Sequence, residues 1–196
     1  VLTCEPTSAD TISCLIITAN QYADFLNGEG RFAEAEKNYR RAVDVGQQLI
    51  RDVSLSIYTI SALSHTQLDL ANFLARNNRH QEALTDYREA SLLLRPCMCL
   101  PERFPLMERA YRDANQGIFT ILAILAKNGH SDEAREFCEE LSKTQKVDSA
   151  AEFFLAGMLA SEAWEHVKDF ERARTHRMGV VSPVHRAGVT MVSDRI

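Results

Sequence analysis

"GRFAEAEKNYRRAV", residues 30–43, holds a glycine, an aromatic residue and then Ala35, Tyr39 and Ala42. The last three are spaced i, i+4, i+7, so they share one face of a helix. Small residues on a buried face let a second helix approach closely, and the tyrosine between them fills the space beside the contact. A face of this kind has no means of burying itself, so the pattern is expected to recur.

It recurs three times. "NRHQEALTDYREA", residues 78–90, repeats it as Ala83, Tyr87 and Ala90. "GHSDEAREFCEEL", residues 129–141, gives Ala134, Cys138 and Leu141. "KDFERARTHRMGV", residues 168–180, gives Ala173, Arg177 and Val180 and is the weakest copy. An apolar stretch precedes each copy: "YADFLNGEG", "LANFLARNN", "ILAILAKNG" and "LASEAWEHV". The unit is helix, tight turn, helix. The turns fall at Gly28-Glu29-Gly30, Asn77-Asn78 and Asn128-Gly129, residue types that tolerate the left-handed conformation that commonly ends a helix.

These residues resemble the tetratricopeptide repeat (TPR) family. Tyr22-Ala23, Leu26, Gly30, Phe32, Ala35, Tyr39 and Ala42 follow that family's pattern, and Leu70-Ala71, Leu74, Ala83, Tyr87 and Ala90 follow it nearly as well. The third copy fits in part and the fourth poorly. The first is also similar to the kinesin light chain subtype, in "AEAEKNYRRA" and in Asn20 near the start of its first helix. The resemblance covers residues 12–178 and implies an all-α solenoid of four antiparallel helix pairs. One departure is plain. The family repeats every 34 residues or so, whereas the marker alanines at 35, 83, 134 and 173 stand 48, 51 and 39 apart. The first excess, 14 residues, is about four helical turns, which fits elongated helices in the first two units.

The expected helices are 8–28, 31–51, 55–77, 80–95, 103–128, 131–145, 149–167 and 169–178. Ser149 and Glu152 form a capping box for the seventh. "RPCMCLPERFP", residues 95–105, holds three prolines and reads as loop, with Cys97 and Cys99 inside it. "GVVSPVHRAGVTMVSDRI", from residue 179, reads as an irregular tail after a domain of residues 1–178.

The net charge of -5 and pI near 5.7 lack the basic footprint of a nucleic-acid binder. No apolar run reaches the roughly 18 residues that span a bilayer, so no membrane partner is expected. No signal peptide is visible at the N-terminus, and the missing initiator Met reads as an excised domain or a processed product. Five cysteines at irregular spacing read as reduced thiols in the cytoplasm. Phosphate-cradling glycine loops, nucleophile elbows, metal-ligand spacings and dinucleotide fingerprints are all missing from the sequence. No catalytic residue, metal or cofactor is therefore expected, and the protein is expected not to be an enzyme. Glu36 and Arg40, at i and i+4, read as a solvated pair.

In the family that the repeats resemble, the first helix of each unit lines a concave groove. That register implies Asn20, Asp24 and Asn27 from unit one, and His65, Asp69, Asn72 and Arg76 from unit two. Unit three adds Gln116, Thr120 and Lys127, and unit four adds Glu162 and His166. These are either the polar side of amphipathic helices or the floor of a groove for a protein or extended peptide. As a floor, its carboxylates favour a partner with basic residues. The expected function is a non-catalytic interaction module. The second reading is a TPR-type regulatory or sensor domain within a larger enzyme.

Overall fold

The computed structural model describes residues 9–52, 57–98, 100, 104–143 and 160–177. Among them are eight helical stretches and no strand. They are α1 (Ala9–Gly28), α2 (Phe32–Asp52), α3 (Ile57–Arg76), α4 (His80–Met98), α5 (Pro105–Lys127) and α6 (Ser131–Lys143), then α7 at 160–166 and α8 at 170–177. The fold is all-α and built of repeated helix hairpins. The residues group into two compact units, 1–98 with 102–114, and 99–101 with 115–196. The expected capping box at Ser149 and the tail from 179 lie outside the described residues.

Each hairpin is made by the same backbone device. Gly30, Asn78, Gly129 and Lys168 have φ of 74°, 59°, 88° and 63°. Each stands five positions before its marker alanine, Ala35, Ala83, Ala134 or Ala173. One residue later the chain closes back on the first helix. Arg31 N donates to Leu26 O (2.9 Å), Arg79 N to Leu74 O (3.0 Å), His130 N to Leu125 O (2.9 Å) and Asp169 N to Trp164 O (3.0 Å). A left-handed residue followed by this long backward bond satisfies the last carbonyls of a helix and reverses the chain. Three of the four positions carry Gly or Asn, as the conformation favours. The fourth carries a lysine, whose Cβ makes it unfavourable by about 1 kcal/mol. Lys168→Gly should therefore raise the stability of the fourth hairpin by up to about 1 kcal/mol, read as a shift in the urea midpoint of hydrogen exchange in 160–177. An unchanged or lower midpoint would mean that the turn is held from elsewhere.

The alanine rows are buried as their spacing predicts. Ala35, Tyr39 and Ala42, then Ala83, Tyr87 and Ala90, then Ala134, Cys138 and Leu141 all lie in the core, as does Ala173. Arg177, the fourth copy's second position, is exposed. In the first unit α1 packs on α2, α3 on α4, α2 on α3 and α1 on α3. The long helices close on one another at Gly46 in α2. A Cβ there would lie 2.8 Å from Leu63 Cδ1 and 3.3 Å from Ile16 Cδ1, so a side chain would hold the helices apart. The elongation expected for α2 and α3 is present, at 21 and 20 residues.

Three expectations need correction. Helix α4 does not stop at Arg95 but runs through Pro96 to Met98, so Cys97 is a buried helical residue and not part of a loop. The buried row Ala83, Tyr87, Ala90 continues at the same spacing through Leu94 and Cys97, and that burial holds the last turn despite the backbone bond lost at proline. Cys99 lies outside the described residues. Asn20 falls past the middle of α1 rather than near a helix start. Finally, Glu36 and Arg40 are not merely a solvated pair. Arg40 bonds both Glu36 (3.0 Å) and Glu82 (2.8 Å), and Arg79 bonds both Glu36 (2.7 Å) and Glu82 (2.6 Å). The four charges form a closed ring between α2 and the start of the second hairpin's second helix, Arg79 lying just before α4. Burial pushes the Glu36 carboxyl up, but its hydrogen bonds from Arg79 and Arg40 outweigh this and hold it below the usual range.

Candidate functional site: the cleft between α1 and α3

α1 and α3 are successive first helices, and they meet along a polar seam. Ser13 and Thr59 hydroxyls pair at 3.2 Å in the buried part of the seam. Two to three turns further, Asn20 Nδ2 donates to Asp69 Oδ2 at 2.7 Å. Between these ties the helices leave a cleft of about 610 Å³. Its floor and walls include Ile17, Asn20, Tyr58, His65, Thr66 and Asp69.

The electrostatics of the cleft are set by burial. Desolvation pushes the Asp69 carboxyl above its usual range, the hydrogen bond from Asn20 opposes this, and the charge of Asp24 adds to it. His65 Nδ1 lies 2.8 Å from the Ser61 carbonyl. That oxygen only accepts, so Nδ1 carries a proton. The Thr66 hydroxyl donates to the Ala62 carbonyl at 2.9 Å. Tyr58 and Ile17 are exposed large apolar side chains at the same cleft.

The expected groove residues have distinct fates. Asn20, His65 and Asp69 come together in this cleft. Asp24 and Asn72 are tied to their own hairpins. Tyr39 donates its hydroxyl to Asp24 Oδ1 at 2.5 Å, and Tyr87 donates to Asn72 Oδ1 at 2.6 Å. Both bonds span 15 residues and recur at the same place in successive hairpins. Burial, then the bond to Asp24, pushes the Tyr39 phenol well above its ordinary value. Asn27 and Arg76 do not line the cleft. In the second unit, Gln116, Thr120, Lys127 and His166 line a smaller cleft of about 360 Å³, where His166 stacks on Phe119 with centroids 4.7 Å apart. Glu162 is not among its lining residues, but its carbonyl lies 2.8 Å from His166 Nδ1 and fixes that ring. Sequence reasoning missed Ser13, Ile17, Ser61 and Tyr58. They stand three, four or seven positions before Asn20 and His65, so extending the helical face one or two turns would have found them.

The amides of Asn20 and Asn72 are committed within the fold. Each makes an inter-helix hydrogen bond, and Asn20 is the partner of a half-buried carboxylate. Net worth is about 1 kcal/mol for a neutral bond and 1.5–3 for a bond to a charged group. The Asn20→Ala, Asn72→Ala double variant should therefore lose about 2.5–4 kcal/mol in urea unfolding. A loss under about 0.5 kcal/mol would show that both bonds are dispensable.

Among the described residues no group of three or more His, Cys, Asp or Glu could hold a metal ion, and no helix is long and apolar enough to cross a membrane. Cys14, Cys97 and Cys138 are in no disulfide. Burial, with Asp169 nearby, pushes the Cys138 thiol up to about 12, which makes it a packing residue and a poor nucleophile.

No protein-family model matches the chain, and no curated protein matches it. Among solved structures, the chain is similar to the one described as the crystal structure of BtubC (BKLC) from P. vanneervenii. The identity is 16% and the TM-score 0.34, over 92% of this chain and 83% of that one.

Proposed function

We propose that this protein is a non-catalytic interaction module that holds an extended protein segment in the cleft between α1 and α3. The supporting observation is the cleft itself, a long polar seam with apolar lips, formed by two first helices of consecutive repeats. Among its polar groups is the Asp69 carboxylate, an acceptor. Acceptors of this kind suit backbone N–H groups and a lysine or arginine side chain, with the aliphatic stem lying along Ile17 and Tyr58. A cation brought next to a half-buried carboxylate stabilises its charged form.

The sign of the pH dependence follows. Asp69 titrates above the ordinary carboxylate range, and only its ionised form attracts the cation. Affinity should be full at neutral pH and fall as the pH drops through that raised value. Peptides selected by display against the intact chain should be enriched in Lys or Arg. They should lose at least tenfold in affinity, about 1.4 kcal/mol, on Asp69→Asn, together with most of their pH dependence. Arg41→Ala, on an exposed position of α2, should leave them unaffected. Selected peptides that bind Asp69→Asn as well as the parent chain would overturn the reading.

A further inference from the structure

α1 and α3 hold equivalent positions in successive hairpins, with each residue of α1 matched 48 positions later. On α3, the face formed by Ala62, Leu63, Thr66, Leu70 and Phe73 is buried. Two of its contacts are explicit. Phe73 packs its ring against Phe32 (6.5 Å) and Tyr39 (5.7 Å) of α2. Leu63 fits the close approach at Gly46 of α2. Thus a row on α2, Phe32, Tyr39 and Gly46 at seven-residue spacing, is the socket for the α3 face.

The matching face of α1 is Cys14, Leu15, Thr18, Tyr22 and Phe25, and all five are exposed. Leu15 is 54% exposed against 2% for Leu63. Tyr22 is 48% exposed against 2% for Leu70, and Phe25 is 56% exposed against 4% for Phe73. The residue types are alike and the burial is opposite. What differs are the neighbours: α3 packs on α1 and α2, which precede it, whereas α1 has no such preceding helices among the described residues. An exposed apolar stripe of this kind marks an interaction surface.

We propose that this face of α1 docks an amphipathic helix of a partner protein, one that carries the Phe–Tyr–Gly row that α2 presents to α3. The socket chemistry comes from the interface already made inside the chain. A second copy is a poor source of it. The row occurs once in the sequence, in α2, where α3 already covers it. In α8, Phe170 takes the place of Phe32, but an exposed arginine, Arg177, stands where Tyr39 would be. The surface is separate from the cleft between α1 and α3 apart from Cys14, which borders both.

The test uses a copy of residues 31–52 fused ahead of the full chain through a flexible linker, which sets an effective concentration of about millimolar. The copy has no cysteine, and alkylation of the exposed Cys14 thiol is followed by peptide-mapping mass spectrometry. The native copy should slow alkylation of Cys14 at least tenfold. Tyr39→Arg within the copy should restore the rate, and so should Phe25→Asp or Tyr22→Asp in α1. Equal rates with the native and Tyr39→Arg copies would overturn the proposal. So would a Cys14 rate in the unfused chain that falls as its own concentration rises, which would seat a second copy on this face.

Discussion

Phe73→Ala should destabilise the first unit by about 3–5 kcal/mol, the usual range for deleting a buried aromatic ring. The ring is nearly inaccessible and sits between Phe32 and Tyr39, so its removal leaves a cavity where two helices of different hairpins meet. Phe25→Ala removes the same side chain from the equivalent place in the preceding hairpin. It should change stability by no more than about 0.5 kcal/mol, as exposed substitutions usually do, because that ring faces solvent. The pair is informative because composition, local sequence and helix position are matched, so only the presence of the neighbouring helix differs. Urea unfolding followed by hydrogen exchange in α3 and α4 reads both. Equal losses for the two variants would show that α1 is already covered as α3 is, and equal small losses would show that the Phe73 socket is misplaced.

Asp86→Asn should stabilise the protein at pH 7. Burial pushes the Asp86 carboxyl up to about 6, with Glu89 and Glu82 adding to the shift and Arg40 opposing it. No hydrogen bond to that carboxylate is present among the described residues. The sign follows from the raised value. Between an unfolded value near 4 and about 6 in the fold, the native state holds the proton and the unfolded state does not. Stability from this group is therefore greatest at low pH and is lost as the pH rises through 6. A shift of this size corresponds to about 3 kcal/mol at full burial, and the partial exposure of the residue reduces it to about 1–2. The asparagine variant should gain that amount at pH 7 and nothing at pH 4. A variant that is less stable than the parent at pH 7 would mean that the carboxylate makes a charge-assisted contact.

Much of the fold was legible because it is written in residue types that have few other uses. Glycine and asparagine at 30, 78 and 129 announce left-handed turns, and alanines five positions later announce close helix contacts. The fourth turn was not legible from its own residue, since a lysine gives no sign of positive φ. Its place follows only from the row of alanines. The end of α4 was misread because proline signals a break unless burial on both sides of it outweighs the lost backbone bond. For the site, the repeat register picked out Asn20, His65 and Asp69, which line one cleft. It did not reveal that Asp24 and Asn72 are occupied by tyrosines 15 residues further on, because a polar side chain declares its capacity for hydrogen bonds and not its partner. The contrast between Phe25 and Phe73 was beyond reach for a similar reason: two phenylalanines in matching contexts differ only in what lies across from them.

The central claim is that the inner seam between α1 and α3, rather than the charged outer face, is where a partner segment lies. Amide and side-chain NMR shifts of the intact chain, titrated with a basic peptide obtained by selection, test it most directly. The account predicts that the shifts centre on Ile17, Asn20, His65, Thr66 and Asp69 and vanish with Asp69→Asn. Shifts confined to the ring of Glu36, Arg40, Arg79 and Glu82 would contradict it.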